Sequence, residues 1–546
     1  MKTKDDVLAL TGEALEPAER SGVYEQMTAG MQEKMRYFLG YQVNQDLSYS
    51  EELHPFLGMH LNNIGDPFTD GNMTMHSKEM ERAVLDYYAS LWHAETPHAN
   101  ENGNSYWGYT LSMGSTEGNV YAIWNARDYL SGKLLLSQED AEAEADRASR
   151  SGKPARAAGL QYSQADERLE NPNAYRPVAF FSQDTHYSIV KAMRVLAFDT
   201  FYSLGTQLGS CPLSYPADYP DGFSKEYIGE RGWPREVPSD LDGAVYVPAL
   251  KKLVEYFLAE GHPIFVCFNY GTTFKGAYDP VESAVEALSP LLEAYGMLER
   301  TIVYEKNGQK YTDVRSGFWF HVDGALGAGH MPYVEKAAAR GLLPEQEVPV
   351  FDFRLPEIQS ICMSGHKALG APFPCGVYMT KTKYQLLPPD DPMYIGAPDT
   401  TFAGSRSSLA AMYMWDQLAR MSEDDHVAQA VHMQKMAAYA AAVLTKVAED
   451  ICYDLWVEHT SLSLTVRFRR PHPDIVDTYS LSCEALYVDG EKRHYAHLFA
   501  MKHVSRELLD TLAEDLRQEG AFPCRETKHQ GPGPAADTLL SGRSFK

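Results

Sequence analysis

Apolar residues fall into distinct rhythms along this chain, and the changes of rhythm mark its organisation. Over residues 79–94 (EMERAVLDYYASLWHA), Met80, Val84, Tyr87, Tyr88, Leu91 and Trp92 recur at helical spacing, which predicts a helix packing one apolar face on a neighbour. The first hundred residues read as helices and connecting loops. From Tyr106 onward, short and nearly unbroken apolar runs alternate with helical segments: VAFFS at 178–182, IFVCFNY at 264–270, FWFHV at 318–322, SICMS at 360–364 and GVYMT at 376–380. Such runs predict strands covered on both faces, as in an α/β sheet. After about Ser408 the pattern changes again. Residues 426–450 read as a long helix rich in Ala and Met. Leu462, Leu464, Val466 and Phe468 alternate with polar residues, as in a half-buried strand. A second strand region over 480–502 carries an Asp489-Gly490 turn signal, and a helix over 505–519 follows. Residues 137–173, rich in Ala, Glu, Gln and Arg, read as an exposed helical insertion, and 205–240 as a long loop. The last twenty or so residues, with GPGPAAD, read as a mobile tail.

Composition narrows the function classes. A chain of 546 residues is long enough for two or three domains. A formal net charge of -25 argues against nucleic acid or an anionic membrane surface as the main partner. No apolar run approaches the roughly 18–20 residues of a membrane span, and the first twenty residues lack the apolar core of a secretory signal. Cys211, Cys267, Cys362, Cys375, Cys452, Cys483 and Cys524 are odd in number, widely spaced and free of any CxxC pair. That pattern fits free thiols in a reducing cytoplasm, with neither a disulfide framework nor a metal site.

Five short motifs carry candidate chemistry. Ser364-Gly365-His366-Lys367 follows an apolar run and places a lysine just past a strand end, where burial would lower its pKa and free the amine. His321-Val322-Asp323-Gly324-Ala325 closes another strand with a carboxylate followed by two small residues, which leave room for a flat ring. Gly114-Ser115-Thr116-Glu117-Gly118-Asn119 opens a helix with donors suited to a phosphate. His186, in SQDTHYS, could stack on a ring and polarise a carboxylate. Thr273, in NYGTTFKG, could contact the same ligand. Taken singly, each has an ordinary explanation: a loop lysine, a helix cap, a turn or a core histidine. Four of them follow expected strands and the fifth opens a helix. Ligands of open α/β sheets bind at that edge.

The ordered series LGYQVN (39–44), LNNIGDPF (61–68), GSTEGN, THYS, NYGTT, HVDGA, SGHK, FPCG (373–376) and DTTFAGSRS (399–407) resembles the group II pyridoxal-5'-phosphate (PLP)-dependent amino-acid decarboxylases. Within that group it is most similar to the histidine-decarboxylase-like branch, with its plant serine decarboxylases and bacterial valine and methionine enzymes. The resemblance implies an α/β chain of PLP fold type I (aspartate-aminotransferase-like). Its expected parts are an N-terminal helical segment (1–105), a large PLP-binding sheet domain covered by helices (106–395), a small C-terminal α+β domain (396–525) and a tail (526–546).

The resemblance also implies residue roles. Lys367 forms the Schiff base, Asp323 pairs with the pyridine nitrogen, His186 stacks on one ring face and Ala325 packs on the other. Ser115, Thr116, Ser364 and His366 hold the phosphate, and Thr273 contacts the cofactor. The active sites form at a homodimer interface, where Ser405 reaches the neighbouring subunit's phosphate. Tyr394 is placed by position as the proton donor to Cα. Gly324 stands where relatives often have Ala, and Ser407 where the branch usually has Asn. The expected reaction is decarboxylation of an L-amino acid, apolar and aliphatic (methionine, leucine or valine). Leu57, Met59, His60, Leu61 and Asn62 resemble the stretch lining the side-chain pocket. Histidine decarboxylation, another fold-type-I reaction (transamination or aldol cleavage) and a PLP-binding scaffold without turnover remain the alternatives.

Overall fold

All five apolar runs lie in one six-stranded sheet. The computed structural model describes residues 14–135, 162–165, 170–306, 309–344, 346–385 and 392–523, with positions 8, 9, 12 and 168 besides. Its first ten strands are β1 (Tyr106–Leu111), β2 (Lys133–Leu135), β3 (Tyr162–Gln164), β4 (Val178–Phe181), β5 (Ile264–Asn269), β6 (Arg300–Lys306), β7 (Gln309–Arg315), β8 (Phe318–Asp323), β9 (Ile358–Ser364) and β10 (Gly376–Lys381). The large sheet has the order β1-β10-β9-β8-β5-β4. Strands β4, β5, β8 and β9 are parallel. Strand β10 runs against both β9 and β1, so five carboxyl ends share one edge.

The unbroken apolar runs are explained by two cores, one on each side of the sheet. Val178, Phe180, Ile264, Val266 and Phe268 join the larger cluster, with Leu250, Leu253 and Phe257 of the helix Val247–Ala259. Their alternates Ala179, Phe181, Phe265 and Cys267 pack with Ile123 and Ala126 of the helix Ser115–Leu130. A strand with period-two side chains and cover on both faces needs apolar residues at every position. Each fully buried Phe, Ile or Val contributes about 1.5–3 kcal/mol.

The C-terminal half adds β11 (Thr465–Arg469), β12 (Ser482–Val488) and β13 (Glu491–Phe499), an antiparallel sheet of order β11-β13-β12. The helices Glu423–Asp450 and Arg506–Arg517 pack with it through Ala437, Leu444, Leu509 and Leu512. Asp489 and Gly490 both have positive φ, 51° and 79°, and form the tight turn between β12 and β13 that their sequence predicts. The alternation from Leu462 begins too early as a strand. Leu462 is a buried turn residue with φ 61°, and β11 starts at Thr465.

Other differences are local. The expected loop over 205–240 opens inside the helix Phe201–Leu208 and contains short 3-10 turns at Lys225–Tyr227 and Glu230–Gly232. Much of the expected insertion, 136–161, and the expected tail lie outside the described residues; beyond 161, β3 pairs with β2 rather than forming helix. Among the described residues no helix is long and apolar enough to cross a membrane, no group of side chains could hold a metal ion, and the cysteines are free.

One N-terminal stretch is fastened to the C-terminal sheet. Leu39 N–H donates to Tyr479 O at 3.1 Å, and Phe499 N–H to Leu39 O at 2.7 Å. His503 bonds Phe38 O through Nε2 at 2.8 Å and accepts Gln45 N–H on Nδ1 at 3.2 Å. Between them, a Cβ on Gly40 would stand 1.9 Å from Ser480 O, so only glycine fits that approach.

Candidate active site

The carboxyl edge of the large sheet gathers most of the motifs. Asp323 ends β8, with Asn269 of β5 and Cys362 of β9 as its cross-strand partners. Lys367 lies in the turn after β9, His186 follows β4, and Gly114 caps the helix Ser115–Leu130 just past β1. The parallel pairing therefore assembles residues far apart in sequence.

Lys367 Nζ donates to Gln42 Oε1 at 2.5 Å. Burial pushes the amine below the ordinary lysine range, while the Asp323 carboxylate pulls it back. Gln42 is itself buried, and its Nε2 has no hydrogen-bond partner among the described residues. Asp323 Oδ1 accepts Ala325 N–H at 3.2 Å, and Oδ2 accepts Asn119 Nδ2 at 2.8 Å. Gly324 is required here because a Cβ would stand 2.4 Å from Ala328 Cβ.

A cradle lies beside them. Gly114 has φ 68° and ψ -167°, and an added Cβ would come within 2.6 Å of His366 Cε1. Ser115 N–H donates to Ser364 Oγ at 3.0 Å, and Ser364 Oγ donates to Ser115 Oγ at 2.8 Å. Glu117 accepts the N–H groups of Ser112 and Met113 at 2.8 and 3.0 Å, fixing the turn into the helix. Burial, reinforced by the Lys367 charge, lowers the His366 pKa. The cradle thus offers a helix N-terminus, hydroxyls and a neutral imidazole to an anion.

His186 Nδ1 accepts Ser188 N–H at 3.3 Å and bonds Ser188 Oγ at 2.8 Å. Ala325 is partly exposed between Asp323 and Ser364, with its carbonyl accepting Ser364 N–H at 3.0 Å. Thr116 is half-buried in the first turn of its helix. Thr273 is exposed in the turn after β5, whereas the buried hydroxyl of Thr272 closes that turn on Ala277 N–H. Ser405 is exposed and accepts Asn62 Nδ2 at 3.0 Å. Its neighbours are fixed: Arg406 is buried against Glu81, and Ser407 N–H donates to Ser112 Oγ at 3.1 Å. Tyr394 is not drawn into this cluster. Its ring is 79% exposed, and Asn72 holds the backbone of its segment.

Four residues given no role in the sequence reading join the site: Gln42, Asn119, Ser188 and His321. All four stand inside the quoted motifs, Gln42 in LGYQVN and Ser188 in SQDTHYS. Gln42 lies 325 residues from Lys367, so nothing in the sequence pairs the two. Together the residues fit a flat aldehyde carrying a phosphate: an amine of lowered pKa, a strand-end carboxylate, space kept by Gly324, and the cradle at Gly114–Ser115.

Comparison with known proteins agrees with this geometry. Residues 228–464 match the family described as the pyridoxal-dependent decarboxylase conserved domain. The L-methionine decarboxylase of Streptomyces sp.590, solved with L-methionine methyl ester, is 42% identical, with a TM-score of 0.83 over 94% of this chain and 97% of that one. A histidine decarboxylase of Solanum lycopersicum is 26% identical over 510 residues, 93% of this chain and 91% of the relative. Serine decarboxylase 2 of Oryza sativa subsp. japonica is 25% identical over 510 residues, 92% and 80%. The chain accordingly belongs to the group II PLP-dependent amino-acid decarboxylases, in their histidine-decarboxylase-like branch.

Proposed function

We propose that this decarboxylase acts on an apolar aliphatic L-amino acid, methionine before leucine or valine, and releases the primary amine and CO2. The supporting observation is the similarity to the Streptomyces L-methionine decarboxylase, which extends along nearly the whole chain and exceeds that to the histidine and serine relatives. Histidine is the second reading, because several relatives are named histidine decarboxylases.

Bound PLP supplies the aldehyde that takes the substrate amine and the electron sink for the pair left at Cα. Lys367 is the residue that would carry it. Burial favours the neutral, nucleophilic form of its amine, and Gln42 holds Nζ in place. Asp323 would hold the ring nitrogen. Ser115, Thr116, Ser364 and His366 would hold the phosphate, Thr273 would contact the cofactor, and His186 and Ala325 would flank the ring. We assign the proton returned to Cα to Tyr394 from its place in the family pattern alone, since its ring stands in solvent outside the cluster.

Leu57, Met59, Met75, Met113 and Phe402 leave apolar surface uncovered, and Ser405 is exposed beside Asn62, whose N–H donates to Met75 O. We infer that a second copy covers this surface in a homodimer and takes Ser405 to its own phosphate site. Free thiols fit a cytoplasmic enzyme.

The deciding experiment is CO2 release from a panel of twenty L-amino acids, with product identification. Methionine turnover to 3-methylthiopropylamine supports the first reading, histamine the second, and a keto acid would overturn decarboxylation. Lys367→Ala should lose the visible band of bound PLP; retention of that band would remove Lys367 from its role.

A further inference from the structure

Asn119 stands at a junction that the cofactor roles leave unexplained. It is 1% exposed, and all four hydrogen-bonding positions of its amide are filled. Nδ2 donates to Asp323 Oδ2 at 2.8 Å and to Ser188 Oγ at 3.0 Å. Oδ1 faces His321 Nε2 at 3.0 Å and Cys362 Sγ at 3.1 Å. A carboxylate only accepts, so Asp323 dictates which end of the amide faces it. The amide oxygen must then face His321, which makes Nε2 the protonated nitrogen of that ring.

The consequences run outward in both directions. His321 is fully buried and neutral, its pKa brought down to about 4 by burial. With its proton on Nε2, its Nδ1 accepts the Ser360 hydroxyl at 2.8 Å, and Ser360 Oγ accepts Trp319 Nε1–H at 3.0 Å. On the other side, Ser188 Oγ has accepted from Asn119 and gives its own proton to His186 Nδ1 at 2.8 Å. The Ser188 N–H points at the same nitrogen, so the His186 proton resides on Nε2. One carboxylate thereby fixes an amide and the His321 tautomer, and the Ser188 N–H fixes that of His186.

We propose that Asn119 is a positioning residue that locks the Asp323 carboxylate and the His186 ring into one arrangement for the cofactor, and that His321 acts on Asp323 chiefly through Asn119. This rests on the reading above, in which Asp323 and His186 face PLP. Among the described residues His321 makes no direct hydrogen bond to Asp323; its short route is the amide, at 3.0 and 2.8 Å, and the longer one runs through Cys362 Sγ, 3.8 Å from His321 Nε2 and 3.9 Å from Asp323 Oδ1. Gly118, one residue before, lets the helix approach β9 closely enough for this, since a Cβ there would stand 2.7 Å from Cys362 Cβ.

The test is PLP affinity, measured by titrating the full-length apoenzyme and following the visible band, with circular dichroism to check folding. Asn119→Ala removes the donor to Asp323 and should weaken binding about tenfold or more, as loss of a hydrogen bond to a charged group does. His321→Leu should weaken it by a similar factor. His321→Gln keeps an N–H near the place of Nε2 and should stay within about threefold of wild type. The double variant Asn119→Ala/His321→Leu should bind little more weakly than Asn119→Ala alone, because the second cut lies mainly on the same line. A merely structural role predicts losses that add. Additive losses, or His321→Leu with wild-type affinity, would overturn the proposal. If Asn119→Ala does not fold, the contrast between His321→Leu and His321→Gln decides the matter alone. Wild-type protein that forms no visible band with PLP would overturn this proposal and the functional reading together, whereas a normal wild-type band with additive variants overturns the proposal only.

Discussion

Replacing Gly114 by alanine should damage the cradle through two separable effects. The backbone there has φ 68° and ψ -167°, a region open almost only to glycine, and holding another residue in it costs about 1–3 kcal/mol. The new Cβ would also stand 2.6 Å from His366 Cε1, well inside ordinary contact distance, and such overpacking costs about 1–3 kcal/mol. Urea unfolding of the apoenzyme should show a loss of about 2–6 kcal/mol if the two combine. PLP titration should show weaker binding, because Ser115 and His366 both border the strained residue. The effects separate in Gly114→Ala/His366→Ala, which removes the ring and relieves the clash but not the backbone cost, so its loss should be smaller than the sum of the two single variants. Gly114→Ala with unchanged unfolding midpoint and PLP affinity would refute this account of the cradle, and strict additivity in the double variant would refute the clash.

Other outcomes follow from the same geometry. Glu81 and Arg406 pair with both side chains wholly buried, so Glu81→Gln should cost about 3–5 kcal/mol in urea unfolding by stranding the guanidinium; a loss below about 1 kcal/mol would contradict the pairing. Gly324→Ala should destabilise the fold by about 1–3 kcal/mol through its clash with Ala328, and adding Ala328→Gly should restore part of it, as thermal unfolding can check. Burial holds His321, His330, His426 and His497 at about 4, below the ordinary 6.5. Between those values the unfolded chain binds protons that the folded one refuses, so their contribution to stability rises with pH from about 4 to 6.5 and is lost on acidification. His330→Gln should reduce that slope by about one proton, roughly 1.4 kcal/mol per pH unit. An unchanged slope across urea midpoints at several pH values would count against it.

The sheet was legible because strands covered on both faces leave a local mark, and all five apolar runs fell in it. Lys367, Asp323 and His186 were legible because each motif sits directly against such a run, and the Ser115 cradle because glycine and hydroxyl residues open a helix. What depended on partners distant in sequence was not. Gln42 has no pattern linking it to Lys367; the contact exists because Leu39 and Phe38 are bonded to the C-terminal sheet. Asn119 and His321 were visible as letters, but their roles depend on the register that sets Asp323 beside Cys362. Leu462 misled because a buried turn residue continues a strand's alternation. Tyr394 was chosen by position, and the backbone hold of Asn72 on its segment leaves the ring in solvent.

The attachment of residues 38–45 ties Lys367 to the C-terminal layer, whose Met433, Leu464 and Phe499 also pack on the neighbouring Ala368. Gln42 sits on a tether fastened at both ends to the C-terminal sheet and its flank, through Tyr479, Phe499 and His503. A hydrogen bond has little strength left once donor and acceptor part by about an ångström. A displacement of that layer relative to the Lys367 turn on this scale would therefore lift Gln42 off Nζ. The amine senses the position of a part of the molecule that carries none of the cofactor-facing side chains, as a latch senses a door.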